Sequence, residues 1–185
     1  DLTGIPQSGA QLGDPEANVT LIVYEDPQCP FCARWSEEGF PGLVEDYVRP
    51  GQIRIEFRGL AFIGDDSEKG LRFIYAAGEQ DRLWQLAEAL YANQGGENEG
   101  WVTDDLIRDV AASIDGLDVD RLLADAESDV VRERIAEAEA QASAAGVQGT
   151  PWFYIQIGDD EPYEIQPASL STDAFRDALD DALAG

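Results

Sequence analysis

A mixed α/β fold with an all-helical insertion is what this 185-residue sequence predicts. Three observations lead there. A β-branched apolar run at residues 19–25 is closed by Asp26-Pro27, helical texture runs from about residue 66 to 145, and strand patterning returns after Gly146. The resulting order is strand, helix, strand, helical block, strand, strand, helix. The two flanking halves form one mixed sheet provided the ends of the block, near residues 65 and 146, are neighbours in space.

Residues 1–18, rich in Gly, Pro and polar side chains, read as a lead-in arm with a turn at Gly13-Asp14-Pro15. Val19–Glu25 is short and apolar, as a strand covered on both faces is. A helix is expected from about Pro30, since proline suits a first turn, carrying Trp35 and later Leu43, Val44 and Tyr47. Gly39 and Pro41 predict a break near residues 37–41, and Pro50-Gly51 ends the segment. Over residues 52–58, Ile53, Ile55 and Phe57 alternate with Arg54, Glu56 and Arg58, the period of a strand.

In the helical block, Leu71, Ile74, Tyr75 and Gly78 share one face, as do Leu83, Leu86, Ala87, Leu90 and Tyr91. Gly95, Gly96 and Gly100 mark a loop. Thr103, Asp118 and Ser128 are candidate N-caps of three further helices, the last ending near Ala145. Strands are expected at residues 151–157 and Tyr163–Ile165 around a turn at 158–161, followed by a helix with Ser171 as N-cap and Leu170 with Phe175 as hydrophobic staple.

Composition narrows the function. The net charge of −26 repels phosphate backbones and anionic headgroups, which argues against nucleic-acid and membrane-surface binding. Hydrophobic residues make up 44% of the chain, enough for a core, and no apolar run approaches the ~18–20 residues of a bilayer span. There is no His, which removes His-based triads and His metal sites. There is also no Met, so the expectation is that Asp1 follows a removed segment, with any signal peptide or anchor upstream.

The chemistry rests on Cys29-Pro30-Phe31-Cys32, which holds both cysteines of the chain. Structural zinc needs about four N/S ligands, and iron–sulfur ligation fails on the same count. No metal and no cofactor is therefore expected. A purely structural disulfide would close a tiny loop and add little constraint. A redox dithiol fits better, because the pair follows a buried strand and opens a helix, where unpaired N–H groups and the positive dipole end favour a thiolate. That lowers the pKa of Cys29 below the free value of ~8.5. It also makes the disulfide a better oxidant and Cys29 a better leaving group. Cys32, one turn further in, is expected to be more buried and to serve as the resolving thiol. The four Trp residues read as packing, with Trp152 the one closest to the chemistry. The acidic helix faces, such as Glu133, Glu137 and Glu139, read as solvated surface. Residues 115–120 lack the distal Glu of a calcium loop.

Taken with the stretch Phe57-Arg58-Gly59-Leu60-Ala61-Phe62 ahead of the helical block and with Gly146-Val147-Gln148-Gly149-Thr150-Pro151, the motif resembles the DsbA-like branch of the thioredoxin superfamily, over roughly residues 12–184. The resemblance implies a thioredoxin fold with an inserted all-helical domain: residues 1–64 and 146–185 as a discontinuous thioredoxin-like domain, 65–145 as the insertion. It implies that Pro151 is a cis proline facing the cysteines, with Thr150 beside it leaving its backbone free to pair with an extended substrate. Two departures matter. Phe31 stands where the most oxidising relatives carry His, so a milder shift of Cys29 is expected. Val23 stands where relatives often hold a buried acid six residues before the first cysteine. Glu25, two residues on and on the same strand face, is the candidate substitute as proton relay, against a plain solvated strand-end residue. Asp26 reads as a cap or turn former.

The function expected is that of an extracytoplasmic thiol-disulfide oxidoreductase. It would oxidise protein substrates that bear cysteine thiols and be reoxidised by a membrane or soluble redox partner, with no nucleic acid involved. A reductase or isomerase, and a non-catalytic thioredoxin-fold binding module, are the alternatives. With one lysine, Lys69, among its 12 basic residues, the acid-heavy surface fits a saline setting or a merely acidic secreted protein. If salt screening of self-repulsion matters to this chain, its melting temperature rises between low and molar salt. A flat response removes the saline reading.

Overall fold

In the computed structural model, which describes residues 1–185, Val19–Glu25 forms strand β3, buried along its whole length. It pairs in parallel with β4 (Ile53–Gly59) and antiparallel with β5 (Trp152–Ile157), which pairs in turn with β6 (Tyr163–Ile165). Beyond β4 lie β2 (Gln11–Gly13) and then β1 (Gln7–Ser8), completing a six-stranded mixed sheet. These two short strands replace part of the expected lead-in arm. Their hairpin turns at Gly9, whose φ of +56° suits glycine, and Leu12 enters the core without exposure. One inward apolar residue, Leu12, in the two strands together is too little for a period-2 signal, so the pairing was invisible in composition.

The period-2 geometry of β3 sends its side chains to two different layers. Leu21 and Val23 join Ile55, Phe57, Phe153 and Ile155 in the main core of 42 buried residues. Ile22 and Tyr24 face the other way, onto Leu60, Tyr154 and Ala142. The main face is covered by α1 (Pro30–Glu38), α2 (Phe40–Leu43), which runs on as a π-helical stretch Val44–Val48, and α8 (Asp173–Ala184). Trp35, Phe153 and Phe175 stack through this layer with ring centroids 5.6 and 4.8 Å apart. The predicted break falls at Gly39. There a Cβ would collide with the Leu170 carbonyl, and one on Gly42 with the Thr172 side chain, so the glycines allow the approach to α8.

The helical block comprises α3 (Asp65–Gly78), α4 (Leu83–Ala92), α5 (Asp104–Ala112), α6 (Val119–Asp125) and α7 (Asp129–Ala145). Thr103, Asp118 and Ser128 cap α5, α6 and α7, each accepting from the amide three residues on at 3.0–3.2 Å. Ser171 does not cap α8. The helix starts two residues later, Thr172 turns its hydroxyl back to the Gly39 carbonyl (3.1 Å), and Ser171 pairs with Ser169 instead. The competing tertiary bond to Gly39 won over the local cap. The whole is a thioredoxin fold with an all-helical insertion.

Trp84 of α4 joins the insertion to the sheet. It stacks on Phe40 at 5.0 Å, meets Phe57 edge-on at 5.9 Å, and donates its indole N–H to the Ala10 carbonyl of the β1–β2 hairpin (3.2 Å). Removing a fully buried Trp costs about 3–5 kcal/mol. Trp84→Ala should therefore lower the unfolding free energy by that amount in a denaturant titration, within one transition for sheet and insertion.

Candidate active site

The turn after β3 is built around Asp26, which is wholly buried. Its carboxylate accepts from the Gln28 amide (2.8 Å), the Ile63 amide (3.0 Å) and the Ser67 hydroxyl, and its carbonyl accepts from the Cys29 amide (3.0 Å). Asp26 is thus a turn former, as its position beside Pro27 predicts. The insertion grips the same turn. Gln94 donates to the carbonyls of Pro27 (2.9 Å) and Cys29 (3.1 Å). Gln28 and Asn98 exchange two bonds, Asn98 N–H to Gln28 Oε1 at 2.7 Å and Gln28 Nε2 to Asn98 Oδ1 at 3.1 Å. Nothing in the sequence marks these amides, since each lies in a polar stretch and finds its partner 65 to 70 residues away.

Cys29 is the N-cap of α1, with Pro30 in the first turn and Cys32 one turn in. Both sulfurs are free thiols. Cys29 has 6% of its surface exposed and Cys32 none, so solvent reaches the pair at the first sulfur. As a thiol Cys29 donates to the Thr150 carbonyl at 3.3 Å. Its pKa falls from the ordinary 9.0 to about 6, first through a hydrogen bond from the Cys32 thiol. Burial opposes the shift, and the Thr150 side chain and the backbone amides of Cys32 and Phe31 support it. The helix tip contributes, but the neighbouring thiol leads. Cys32 moves the other way, well above its ordinary value, because burial disfavours its anion, its bond to Cys29 holds the proton on it, and Glu25 is close by.

Glu25 ends β3 on the core face and is 1% exposed, so it is no solvated strand-end residue. Neither carboxylate oxygen has a hydrogen-bond partner. Burial pushes its pKa well above the usual carboxylate range. Tyr91 faces it and favours the anion without completing a bond, while Glu88 and Cys29 disfavour that charge. Glu88 was overlooked in the sequence. The signal was present, since it is the only acidic residue, with no basic one beside it, in the apolar helix Leu83–Ala92.

Phe31 is 58% exposed and Phe62 55%. The Thr150–Pro151 peptide is cis, and Pro151, Trp152, Ile165, Pro167 and Leu170 line a hollow of about 390 Å³ beside it. Trp152 is half-buried there with its indole N–H unpartnered. Trp35 and Trp84 are pure packing, fully enclosed.

The family described as Thioredoxin matches residues 7–181. A probable disulfide bond formation protein D of Bacillus cereus is 30% identical over 151 residues, covering 78% of this chain and 68% of the relative. The oxidised crystal structure of BdbD from Bacillus subtilis superposes with a TM-score of 0.81 at 21% identity, over 98% of each chain. Wolbachia pipientis alpha-DsbA1 superposes at 0.79 with 19% identity, over 100% of this chain and 93% of that one. The motif, the fold and these likenesses agree: the chain is a homologue of the disulfide bond formation proteins D and belongs to the DsbA-like thiol-disulfide oxidoreductases of the thioredoxin superfamily.

Proposed function

We propose that the Cys29–Cys32 disulfide accepts an electron pair from the cysteine thiols of protein substrates outside the cytoplasm, leaving a disulfide in the substrate. The observation that carries this reading is the opposite behaviour of the two sulfurs. Cys29 holds its proton weakly (pKa about 6) and Cys32 holds its proton tightly. A substrate thiolate attacks Cys29, a mixed disulfide forms, and Cys32 leaves as a thiolate. In a sealed site that anion needs a proton, and neutral Glu25 supplies it. The substrate's second thiolate then attacks its own sulfur in the mixed disulfide, and Cys29 departs as an anion stable at neutral pH. The substrate loses two electrons and two protons. The enzyme keeps both electrons and one proton, on Cys32, and the other proton goes to water.

Phe31, Pro30, Thr150 and Pro151 are the groups an extended substrate would meet beside the sulfur. Such a contact is loose about sequence, as a catalyst with many clients requires. The location follows from redox compartment, since a disulfide donor is useful where glutathione does not keep thiols reduced. No helix is long and apolar enough to cross a membrane. Turnover needs an electron acceptor, which we assign to a membrane-bound or soluble redox partner. We also infer that residues 1–64 and 146–185 form the redox unit and that 65–145 act as the insertion that clamps its active-site turn.

Three measurements test this. Cys29→Ser should abolish oxidative refolding of a reduced client, and Cys32→Ser should accumulate the mixed disulfide. The reduction potential should lie above the ~−270 mV of thioredoxin, toward the oxidising end. Ultraviolet thiolate absorbance of the reduced enzyme should titrate near pH 6. Because this pKa is depressed, the thiolate's stabilisation of the reduced fold is complete above the ordinary 9.0 and lost as pH falls through about 6.

Glu25 gives a separate expectation. Its folded pKa is raised, so its burial carries no ionisation cost well below the ordinary 4.5, and that cost grows as pH rises toward the folded value. Glu25→Leu should therefore be more stable than the parent at neutral pH, by at least the roughly 1–3 kcal/mol of an unsatisfied buried polar group, with a smaller gain in acid. It should also exchange thiols more slowly. A variant that is faster, or equally stable at every pH, contradicts the role.

A further inference from the structure

A second, half-buried acid lies behind Glu25, and it is placed to reload it. The helices α1 and α4 pack together, and the Ser36 hydroxyl of α1 donates to Glu88 of α4 at 2.7 Å. Residues one turn apart on a helix lie on the same face. From that bond, one turn back along α1 reaches Cys32, and one turn forward along α4 reaches Tyr91. Cys32, Ser36 and Tyr91 are all buried, with 0, 7 and 6% exposure. The Tyr91 hydroxyl and both Glu25 oxygens are enclosed and without partners. At its other end the row reaches water. Glu88 is half-buried and, with Gln85 one turn before it, lines a cleft of about 1000 Å³ bounded by residues 1–5, Gln7, Pro41, Val44 and Ile114. That cleft includes none of the active-site residues.

We propose that Glu88 is the entry point of a proton path that runs from this cleft through Tyr91 to Glu25 and on to Cys32, separate from the substrate-facing mouth at Cys29. It rests on the function proposed above and adds where the proton of the first half-reaction comes from. When Cys32 leaves as a thiolate it takes the Glu25 proton. In the same step Tyr91 passes its hydroxyl proton to the Glu25 carboxylate and receives one from the Glu88 carboxyl, so the departure of Cys32 itself depends on a protonated Glu88, which water in the cleft then reprotonates. The net transfer is one proton from solvent to Cys32, with no change in redox state along the row. A substrate covering Cys29 therefore does not block proton delivery.

The surroundings of Glu88 suit the task. Burial raises its pKa to about 8, while the Ser36 hydroxyl and the Asp1 amino group oppose the rise, so it holds a proton at neutral pH. Glu25 and Cys32 face it across the row, and Asp1, Glu45, Arg82 and Asp115 ring the cleft. The Arg82 guanidinium bonds the carbonyls of Asp81 and Asp115 and forms no ion pair with Glu88. The acid is therefore not locked as a carboxylate.

The test reduces the oxidised enzyme with dithiothreitol and follows tryptophan fluorescence, with rates corrected for the thiolate fraction of the reductant. Ring closure of dithiothreitol is intramolecular, so the first attack limits the rate. In the parent the corrected rate should fall as pH rises through about 8, where Glu88 loses its proton. Glu88→Gln and Tyr91→Phe should each abolish that fall and slow the reaction below it by roughly tenfold, with the Cys29 titration near 6 retained. Ser36→Ala removes the donor that favours the Glu88 anion, so the fall should persist and move to higher pH, a direction that mere loosening of the helix contact does not produce. A parent profile flat through pH 8, or variants that keep the parent profile, overturns the path. If Glu25→Gln changes the profile while Glu88→Gln does not, the path fails and the role of Glu25 stands. If Glu25→Gln also leaves it unchanged, the role of Glu25 fails with it.

Discussion

The site depends on a steep change of environment across a single helical turn. Cys29 caps α1, where backbone amides and a neighbouring thiol point at its sulfur, and Cys32 lies inside the core with no exposure. Charge is stabilised at the first position by hydrogen bonds that act on the anion, and it is penalised at the second by desolvation. A disulfide between two such atoms is uncharged, and the asymmetry shows itself when the bond breaks. Breaking it gives one comfortable anion and one that must be protonated. The rest of the structure supports that asymmetry, because the strand places the helix start at the surface and the insertion seals the helix's inner face.

The sealing is specific rather than a matter of bulk. Trp84 and the aromatic stack around Phe40 and Phe57 fill the space between α4 and the sheet, which keeps water from Cys32. The polar side of the insertion does the opposite job at the turn, where Gln94, Asn98 and Ser67 satisfy groups that the sharp exit from β3 would leave unpaired. Unsatisfied buried polar groups cost about 1–3 kcal/mol each. The molecule removes that cost at Asp26 and Gln28 and retains it at Glu25 and Tyr91, one residue and one helix away. A buried carboxyl and a buried hydroxyl left without partners fit the proton-transfer roles proposed for them.

Much of this was legible in residue order because it is local. Val19–Glu25 declared a buried strand by its β-branched run, Pro30 declared the helix start, and the three caps at Thr103, Asp118 and Ser128 each act on an amide three residues away. What stayed hidden is non-local. The β1–β2 hairpin has almost no apolar pattern of its own and exists because the open edge of β4 accepts it. Ser171 failed as a cap because the adjacent Thr172 had a distant carbonyl to bond. The importance of Glu88 depends on Ser36, 52 residues away, and no spacing rule connects them. Glu25 was readable only in part: its strand face followed from period 2, but its isolation from every donor is a property of the packed interior.

The absence of a cation explains why the interior acids must stay neutral. With Phe31 in the motif and no His in the chain, the Cys29 thiolate is held by neutral donors alone, and each is worth less than a charge-assisted bond. An ionised Glu25 would act against both sulfurs. It disfavours the Cys32 anion directly, and Cys29 and Glu25 repel when both are charged. Like charges at this depth interact strongly because little water screens them. A protonated Glu25 is therefore compatible with a low Cys29 pKa near 6, although each shift has its own main cause, burial for the acid and the Cys32 hydrogen bond for the thiol. Moving the acid from the position of Val23 to the strand end at Glu25 shifts it by about 6–7 Å along β3, toward α4 and its tyrosine. The shift brings the acid toward Tyr91 of α4, and a carboxyl that stays neutral there adds no repulsion to a thiolate held by hydrogen bonds alone.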